Sequence, residues 1–273
     1  MHRITTGRNV CLLSMSKYIT DEAWAQYEDQ GYLVLGKLLS SEDLLALQAR
    51  IDEIMLGKAR LDYSQLMMQL DSVTGKYNDA GEQSNGWKGE TLAYRKIQNL
   101  EIDDLFCEYL ERPIFREICA RVYGPELPIS CFRAMFMNKP AKQGTKLPWH
   151  QDAWTALDRQ PLITLWTALD PATRANGCVE VIPGSHKQGL INPSHGSGFL
   201  TDSQAVEYCR PENTVYLELE PGEVALLHNW LLHSSDVNQT EISRRAFSVC
   251  YMDGNTTSSS GEKFTRLFEP VTA

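Results

Sequence analysis

The stretch Leu147-Pro148-Trp149-His150-Gln151-Asp152, taken with His233 about eighty residues further on, constrains this chain more than any other feature. In an extended segment side chains at i and i+2 share a face, so His150 and Asp152 stand side by side while Gln151 points away. A lone His-x-Asp pair is usually a surface or hydrogen-bonded pair. A metal site needs a third ligand from a distant strand, and therefore a sheet that returns on itself. His233 ends the apolar run through Val224-Ala225-Leu226-Leu227 and Trp230-Leu231-Leu232, and His228 lies five residues before it. Strand parity does not separate these two histidines. Two imidazoles and one carboxylate on one face leave coordination positions open, an arrangement that suits non-haem iron(II).

Arg244 comes eleven residues after His233, at the head of Ser243-Arg244-Arg245-Ala246-Phe247-Ser248-Val249-Cys250-Tyr251. Alternation of Ala246, Ser248 and Cys250 against Phe247, Val249 and Tyr251 predicts a strand. An arginine there can fork onto a carboxylate. Its neighbour Arg245 should face the other side of the sheet. His186 follows a Pro-Gly turn, and His195 sits in the Gly/Ser loop Pro193-Ser194-His195-Gly196-Ser197-Gly198; both read as loop histidines.

Four motifs in order make the chain resemble the phytanoyl-CoA dioxygenase family of Fe(II)- and 2-oxoglutarate-dependent oxygenases. They are Trp149-His150-Gln151-Asp152, Trp166-Thr167-Ala168-Leu169-Asp170, Asn176-Gly177 through Pro183-Gly184-Ser185-His186, and His233 through Arg244. The resemblance covers most of the chain from Gln26 onward. It selects His233 over His228 and implies iron held by His150, Asp152 and His233. It further implies 2-oxoglutarate and O2 as cosubstrates, with release of succinate and CO2 as a small molecule is oxidised. The distal carboxylate of 2-oxoglutarate falls to Arg244 and Ser235, with Lys96, Met135, Gln151 and Trp166 around the cosubstrate. Substrate-pocket candidates are Tyr94, Arg133, Met137, Trp154 and His195. A non-redox cupin-like metal enzyme would not need Arg244, a non-catalytic jelly-roll binding protein would be expected to have lost a ligand, and a halogenase would lack Asp152.

The implied fold is mainly β with flanking α-helices: a double-stranded β-helix, or jelly roll, cupin-like, of eight short strands in two sheets with helices over one outer face. At 273 residues and 42% apolar the chain suits a single domain over 1–273. A formal charge of −9 speaks against nucleic acid or anionic membrane as standing partners. Seven dispersed cysteines with no Cys-x-x-Cys fit a reducing, cytoplasmic setting. No apolar run approaches the ~20 residues of a membrane span. The oligomeric state stays open.

Elsewhere the sequence predicts a loose leader over 1–17, a helix from Thr20 to about Gln30 stopped by Gly31, and a strand at Tyr32-Leu33-Val34-Leu35. A second helix has Leu44, Leu47, Ile51, Ile54 and Met55 facing the core. Residues 57–92, with Gly75, Gly81, Gly86 and Gly89, read as a long irregular loop and a candidate lid in which Tyr77 and Trp87 could close over substrate. A helix pair is expected near 102–109 and 112–122, then a strand with Arg133, Met135 and Met137 on one side.

Overall fold

The computed structural model describes residues 18–271; the expected leader over 1–17 lies outside them. Helix α1 (Asp21–Gln30) starts where the Thr20 hydroxyl accepts from the Ala23 N–H at 3.2 Å, and Gly31 stops it. Strand β1 (Tyr32–Lys37) and helix α2 (Ser41–Met55) follow. The segment expected to be structureless instead contributes two sheet strands, β2 (Met67–Leu70) and β3 (Ser84–Asn85), before β4 (Tyr94–Gln98). Its strands are too short and too interrupted by glycine for periodicity to register them. The helix pair is α3 (Asp104–Leu110) and α4 (Pro113–Tyr123), leading into the long β5 (Ile129–Lys139).

Strands β6 (Leu147–His150), β7 (Ile163–Ala168) and β8 (Val179–Val181), helix α5 (Asp202–Tyr208), and strands β9 (Val215–Leu217), β10 (Glu223–His228), β11 (His233–Ser235), β12 (Arg244–Asp253) and β13 (Arg266–Phe268) complete the chain. A nine-stranded sheet runs β1-β10-β7-β12-β5-β4-β2-β3, with β13 also on β5; a four-stranded sheet runs β6-β11-β8-β9. The two antiparallel sheets make the jelly roll, extended beyond the expected eight strands by the N-terminal strands and β13. Such a stack buries the inner faces of both sheets and leaves one outer face for helices.

The pattern on β12 sorts the two cores. Phe247, Val249 and Tyr251 join Leu165 of β7 and Phe136 of β5 against Leu47, Ile51 and Ile54 of α2, Phe106 of α3 and Phe115 and Ile118 of α4. Each such buried side chain contributes on the order of 1.5–3 kcal/mol relative to exposure. On the opposite face Ala246 packs with Trp166, Ala168, Ala225 and Leu227 against Val179, Val181 and Leu217 of the small sheet. Strand β7, central to the large sheet, is buried at all six positions, which is why its sequence reads apolar without alternation. Its two polar residues are both paired: Thr167 meets the Tyr109 hydroxyl of α3 at 2.5 Å and the Thr164 hydroxyl donates to Asn229 Oδ1 at 2.7 Å.

Candidate metal centre

His150 ends β6 and His233 begins β11, and the antiparallel register sets them directly opposite one another. Their rings lie 4.0 Å apart. Asp152 reaches back so that its two carboxylate oxygens stand 3.9 Å from His150 Nε2 and 4.0 Å from His233 Nε2. One ligand atom from each residue falls within 4.8 Å of the others, a size that suits one metal ion. Each imidazole is turned by its backbone: His150 Nδ1 bonds Pro148 O at 2.8 Å and His233 Nδ1 bonds Leu231 O at 2.9 Å. Donating there puts the proton on Nδ1 and leaves the Nε2 lone pair facing the shared point. Burial, with His233 beside it, lowers the His150 pKa to about 3, so the ring stays neutral and able to ligate.

The frame around this set is fixed by the chain itself. The Asp152 N–H donates to Asn229 O at 2.7 Å, and the buried Asn229 amide bonds Pro161 O at 2.9 Å and the Thr164 hydroxyl at 2.7 Å. His228 falls outside the ligand group. Its Nδ1 accepts from the Trp230 N–H at 3.0 Å and its ring packs 4.9 Å from His186, whose Nε2 meets Glu28 O at 3.2 Å.

The three ligands open into a pocket of about 300 Å³ whose charged lining, histidines apart, is Lys96, Arg133, Arg244 and Asp152. Met135, Met137, Trp154, Trp166 and Ser235 share it. Arg244 is 2% exposed, and its Nε and Nη1 have no hydrogen-bond partner. Its Cζ lies 5.4 Å over the Trp166 ring. Burial lowers its pKa to about 10, with Cys178, Asp170 and Asp71 opposing, so it remains a cation at neutral pH. An unpaired buried guanidinium is costly, and a carboxylate forked onto it removes the cost. That orphaned cation beside a two-histidine, one-carboxylate set with open positions fits iron(II) with 2-oxoglutarate.

Lys96 lines the same pocket, its pKa lowered to about 7 by burial and by Arg95 and Arg133, with Asp152 opposing. A second lysine was missed by sequence reasoning. Asn138-Lys139-Pro140 reads from sequence only as the turn that ends the strand, yet Lys139 is 4% exposed and its Nζ donates to Thr145 O at 2.6 Å. It shares a small cavity of about 20 Å³ with Arg95, Lys96, Ser235 and Arg244. Gly177, at φ 77°, makes the room: a Cβ there would sit 2.8 Å from Lys139 Cδ and collide with the Asp236 carbonyl. The glycine following Asn176 is the one signal in the sequence that pointed to this close packing.

Three of the expected site residues lie elsewhere. Gln151 is outside the pocket lining; its amide donates to Gly189 O at 2.8 Å and Trp230 O at 2.7 Å and accepts from the Ile191 N–H at 2.8 Å. The i+1 position that turns it from the metal commits it to its neighbours. Tyr94 is fully buried behind the sheet, its hydroxyl bonding the Lys88 N–H and Gly89 O, both at 2.9 Å. His195 caps its own loop, accepting from the Ser197 N–H at 3.1 Å, while Ser197 and Phe199 take its place in the pocket wall. In the candidate lid Tyr77 lines the pocket, its ring 5.1 Å from that of Phe199. Trp87 turns the other way, over Gly57, its Nε1 donating to Met55 O at 3.1 Å.

Residues 27–246 match the family model described as phytanoyl-CoA dioxygenase (PhyH). A Danio rerio protein named phytanoyl-CoA dioxygenase domain-containing protein 1 is 29% identical, the match covering 93% of this chain and 97% of its own. A Rattus norvegicus protein named phytanoyl-CoA dioxygenase, peroxisomal, is 26% identical over 90% of this chain and 70% of its own. Among solved structures, EctD from S. alaskensis with 2-oxoglutarate and 5-hydroxyectoine superposes with a TM-score of 0.67 at 20% identity, over 86% of this chain and 77% of that one. That likeness carries the jelly-roll fold, while the family model carries the relationship. The chain belongs to the phytanoyl-CoA dioxygenase family, and it is a 2-oxoglutarate-dependent non-haem iron dioxygenase.

Proposed function

We propose that this protein hydroxylates a C–H bond of a small organic substrate, with His150, Asp152 and His233 holding iron(II). Bound there, iron(II) with 2-oxoglutarate and O2 supplies the oxidising power, and succinate and CO2 leave as coproducts. The protein's own part is to ligate, orient and exclude water. Arg244 and Ser235 hold the distal carboxylate of 2-oxoglutarate, and Trp166, Met135 and Met137 form the floor on the large sheet, Trp166 and Met135 flanking Ser248. Lys96, on β4 beside Met137, adds positive potential. Arg133, Met137 and Trp154 face the remaining space, which is where the substrate goes.

The observation that carries this reading is the buried, unpaired Arg244 in the same pocket as the metal set. A non-redox metal enzyme has no use for that cation. Protein loaded anaerobically with Fe(II) should develop a visible metal-to-ligand absorption band on adding 2-oxoglutarate, and on admission of O2 should release succinate. Neither band nor succinate with correctly loaded protein would overturn the reading.

We also place the protein in the cytoplasm as a single domain over 1–273 that binds no nucleic acid. The charge of −9 supports this, as do the free cysteines among the described residues, at 107, 119, 131, 178, 209 and 250. Among the described residues no helix is long and apolar enough to cross a membrane. Within the expected lid over 57–92, the part that closes on the site is the stretch around Tyr77 and Gln83, which stand in the pocket wall.

A further inference from the structure

The register between β5 and β12 slips at one point. Cys250 is opposite Arg133 and Tyr251 is opposite Cys131, so Phe132 is an extra residue on β5. A bulge of this kind re-aims side chains and is common beside active sites. Here it sets Phe132 against Trp154, ring centroids 4.4 Å apart, and puts the Arg133 guanidinium over both rings, 5.2 Å from Phe132 and 5.1 Å from Trp154. Trp154 follows the ligand Asp152 by two residues, so this cationic stack adjoins the metal set. Arg133 lines the pocket, is half-buried, and among the described residues its guanidinium meets no hydrogen-bond acceptor and no carboxylate. Stacking on ring faces holds the charge in place while leaving the in-plane N–H donors available.

Arg133 is not a second hand for the cosubstrate. Arg244 pairs with Lys139 at the other end of β5, so the two arginines leave the sheet six residues apart, roughly 20 Å between backbones at the ~3.3 Å rise of a strand. A five-carbon diacid held by Arg244 at one carboxylate and by the metal at the other has both its carboxylates engaged. The charges lead to the same place. Iron(II) offsets the dianionic cosubstrate and Asp152 offsets Arg244, which leaves Arg133, with Lys96 when protonated, uncompensated in a pocket with no other carboxylate.

Resting on the dioxygenase reading above, we propose that the substrate is a monocarboxylate, and that its carboxylate is forked by Arg133 while its apolar body lies against Trp154 and reaches toward the metal. A lone arginine between aromatic rings matches a planar, singly charged carboxylate; a phosphate would call for further donors around it, such as a helix N-terminus.

The test uses anaerobic protein with Fe(II) and 2-oxoglutarate, titrated with straight-chain and phenyl-substituted monocarboxylic acids, each beside its primary amide and the corresponding phosphate monoester. Binding is read from the shift of the visible band. At least one acid should bind about tenfold or more tightly than its amide, and Arg133→Gln should erase that preference while leaving the 2-oxoglutarate titration unchanged. Arg133→Lys keeps charge and stem and should keep part of it, so the proposal stays testable if Arg133→Gln does not fold. Equal binding of acids and amides, no binding by any acid, or an acid preference that survives Arg133→Gln each overturns the proposal. A stronger preference for phosphate monoesters overturns the carboxylate assignment. Absence of the band in wild type before any probe is added is a different failure, that of the dioxygenase reading itself.

Discussion

Arg244 and Arg245 are neighbours on β12, and the sheet gives them opposite surroundings. On the helix face Arg245 forks onto Asp170 at 2.8 and 2.9 Å and bonds Asp52 of α2 at 2.7 Å, so every nitrogen of its guanidinium is engaged. On the pocket face Arg244 is more deeply buried and has two nitrogens unpartnered. The same contrast holds at β7, where Thr167 on the helix side finds the Tyr109 hydroxyl and Trp166 on the pocket side leaves its Nε1 unpaired. A buried polar group without a partner costs free energy that folding alone does not recover. For this pair of arginines, pairing marks cohesion, and its lack at Arg244 marks a place prepared for a ligand.

The sharpest way to break this contrast is at the metal. Replacing His150, Asp152 or His233 by alanine should lower Fe(II) affinity by well over ~100-fold, beyond what the loss of an outer partner costs. His228→Ala should keep iron, because that ring already bonds Trp230 and packs on His186. Equilibrium dialysis of iron against the four variants decides it; retention by His233→Ala with loss by His228→Ala would reverse the assignment.

The arginine pair comes next. Arg244→Ala should weaken 2-oxoglutarate by several hundredfold or more, from the about 3–5 kcal/mol of a broken buried ion pair. Its folded stability without 2-oxoglutarate should not fall, since no internal pair is lost and an unpartnered buried cation is removed. Arg245→Ala should do the reverse, leaving the 2-oxoglutarate constant alone and lowering stability by about 1.5–3 kcal/mol, the scale of charge-assisted hydrogen bonds. Denaturant midpoints measured beside 2-oxoglutarate titrations separate the two. Equal effects in both assays would dissolve the distinction between the faces.

Lys96 tests the pocket face through pH. Burial, with Arg95 and Arg133 near, lowers its pKa to about 7 in the folded chain, against about 10.4 when unfolded. Between those values the unfolded chain binds the extra proton, so this group makes stability rise with pH across that window; below about pH 7 its cost is fully present. Lys96→Met should therefore be more stable than wild type near neutrality, with the gap closing as pH climbs toward 10. Parallel stability curves would place Lys96 in solvent.

The smallest effect expected is at the segment 71–85. Amide exchange there should slow severalfold when 2-oxoglutarate and Fe(II) are added and slow further with substrate, because Tyr77 and Gln83 meet the pocket while the rest of the segment does not. Exchange that is identical in all states would reduce it to a packed insertion. Asp71 limits how far it can move, since its Oδ1 takes both the N–H and the hydroxyl of Thr145.

Much of this was legible from residue order. The i, i+2 rule set His150 beside Asp152, and strict alternation on β12 sorted Phe247, Val249 and Tyr251 from Ala246 and Ser248. Periodicity gave the buried face of α2, because a helix one face deep carries its environment in its spacing. What stayed hidden depends on chain crossings that spacing does not encode. Lys139 reads as a turn residue until Gly177 and Thr145 are seen to enclose it. Tyr94 and Trp87 read as pocket aromatics until their polar atoms are traced to Gly89 and Met55. Strands β2 and β3 show as loop because four residues and two residues are too few for a period to register.

Gln151, sitting between two metal ligands and touching neither metal nor pocket, has a consequence for how the protein gains and loses iron. Its side chain ties together the chain at Gly189, Ile191 and Trp230, and its N–H donates to Gly198 O at 3.1 Å, where the fit leaves no space for a Cβ. The chain around the ligands is thus braced by bonds that do not involve the ion. In small zinc domains the ion gathers its ligands and the fold goes with it; here the ordering entropy was spent when the sheets closed. Stripping iron with a chelator should then leave a protein that melts as a single cooperative body, below the loaded one only by the free energy of metal binding, and iron should return without a folding step.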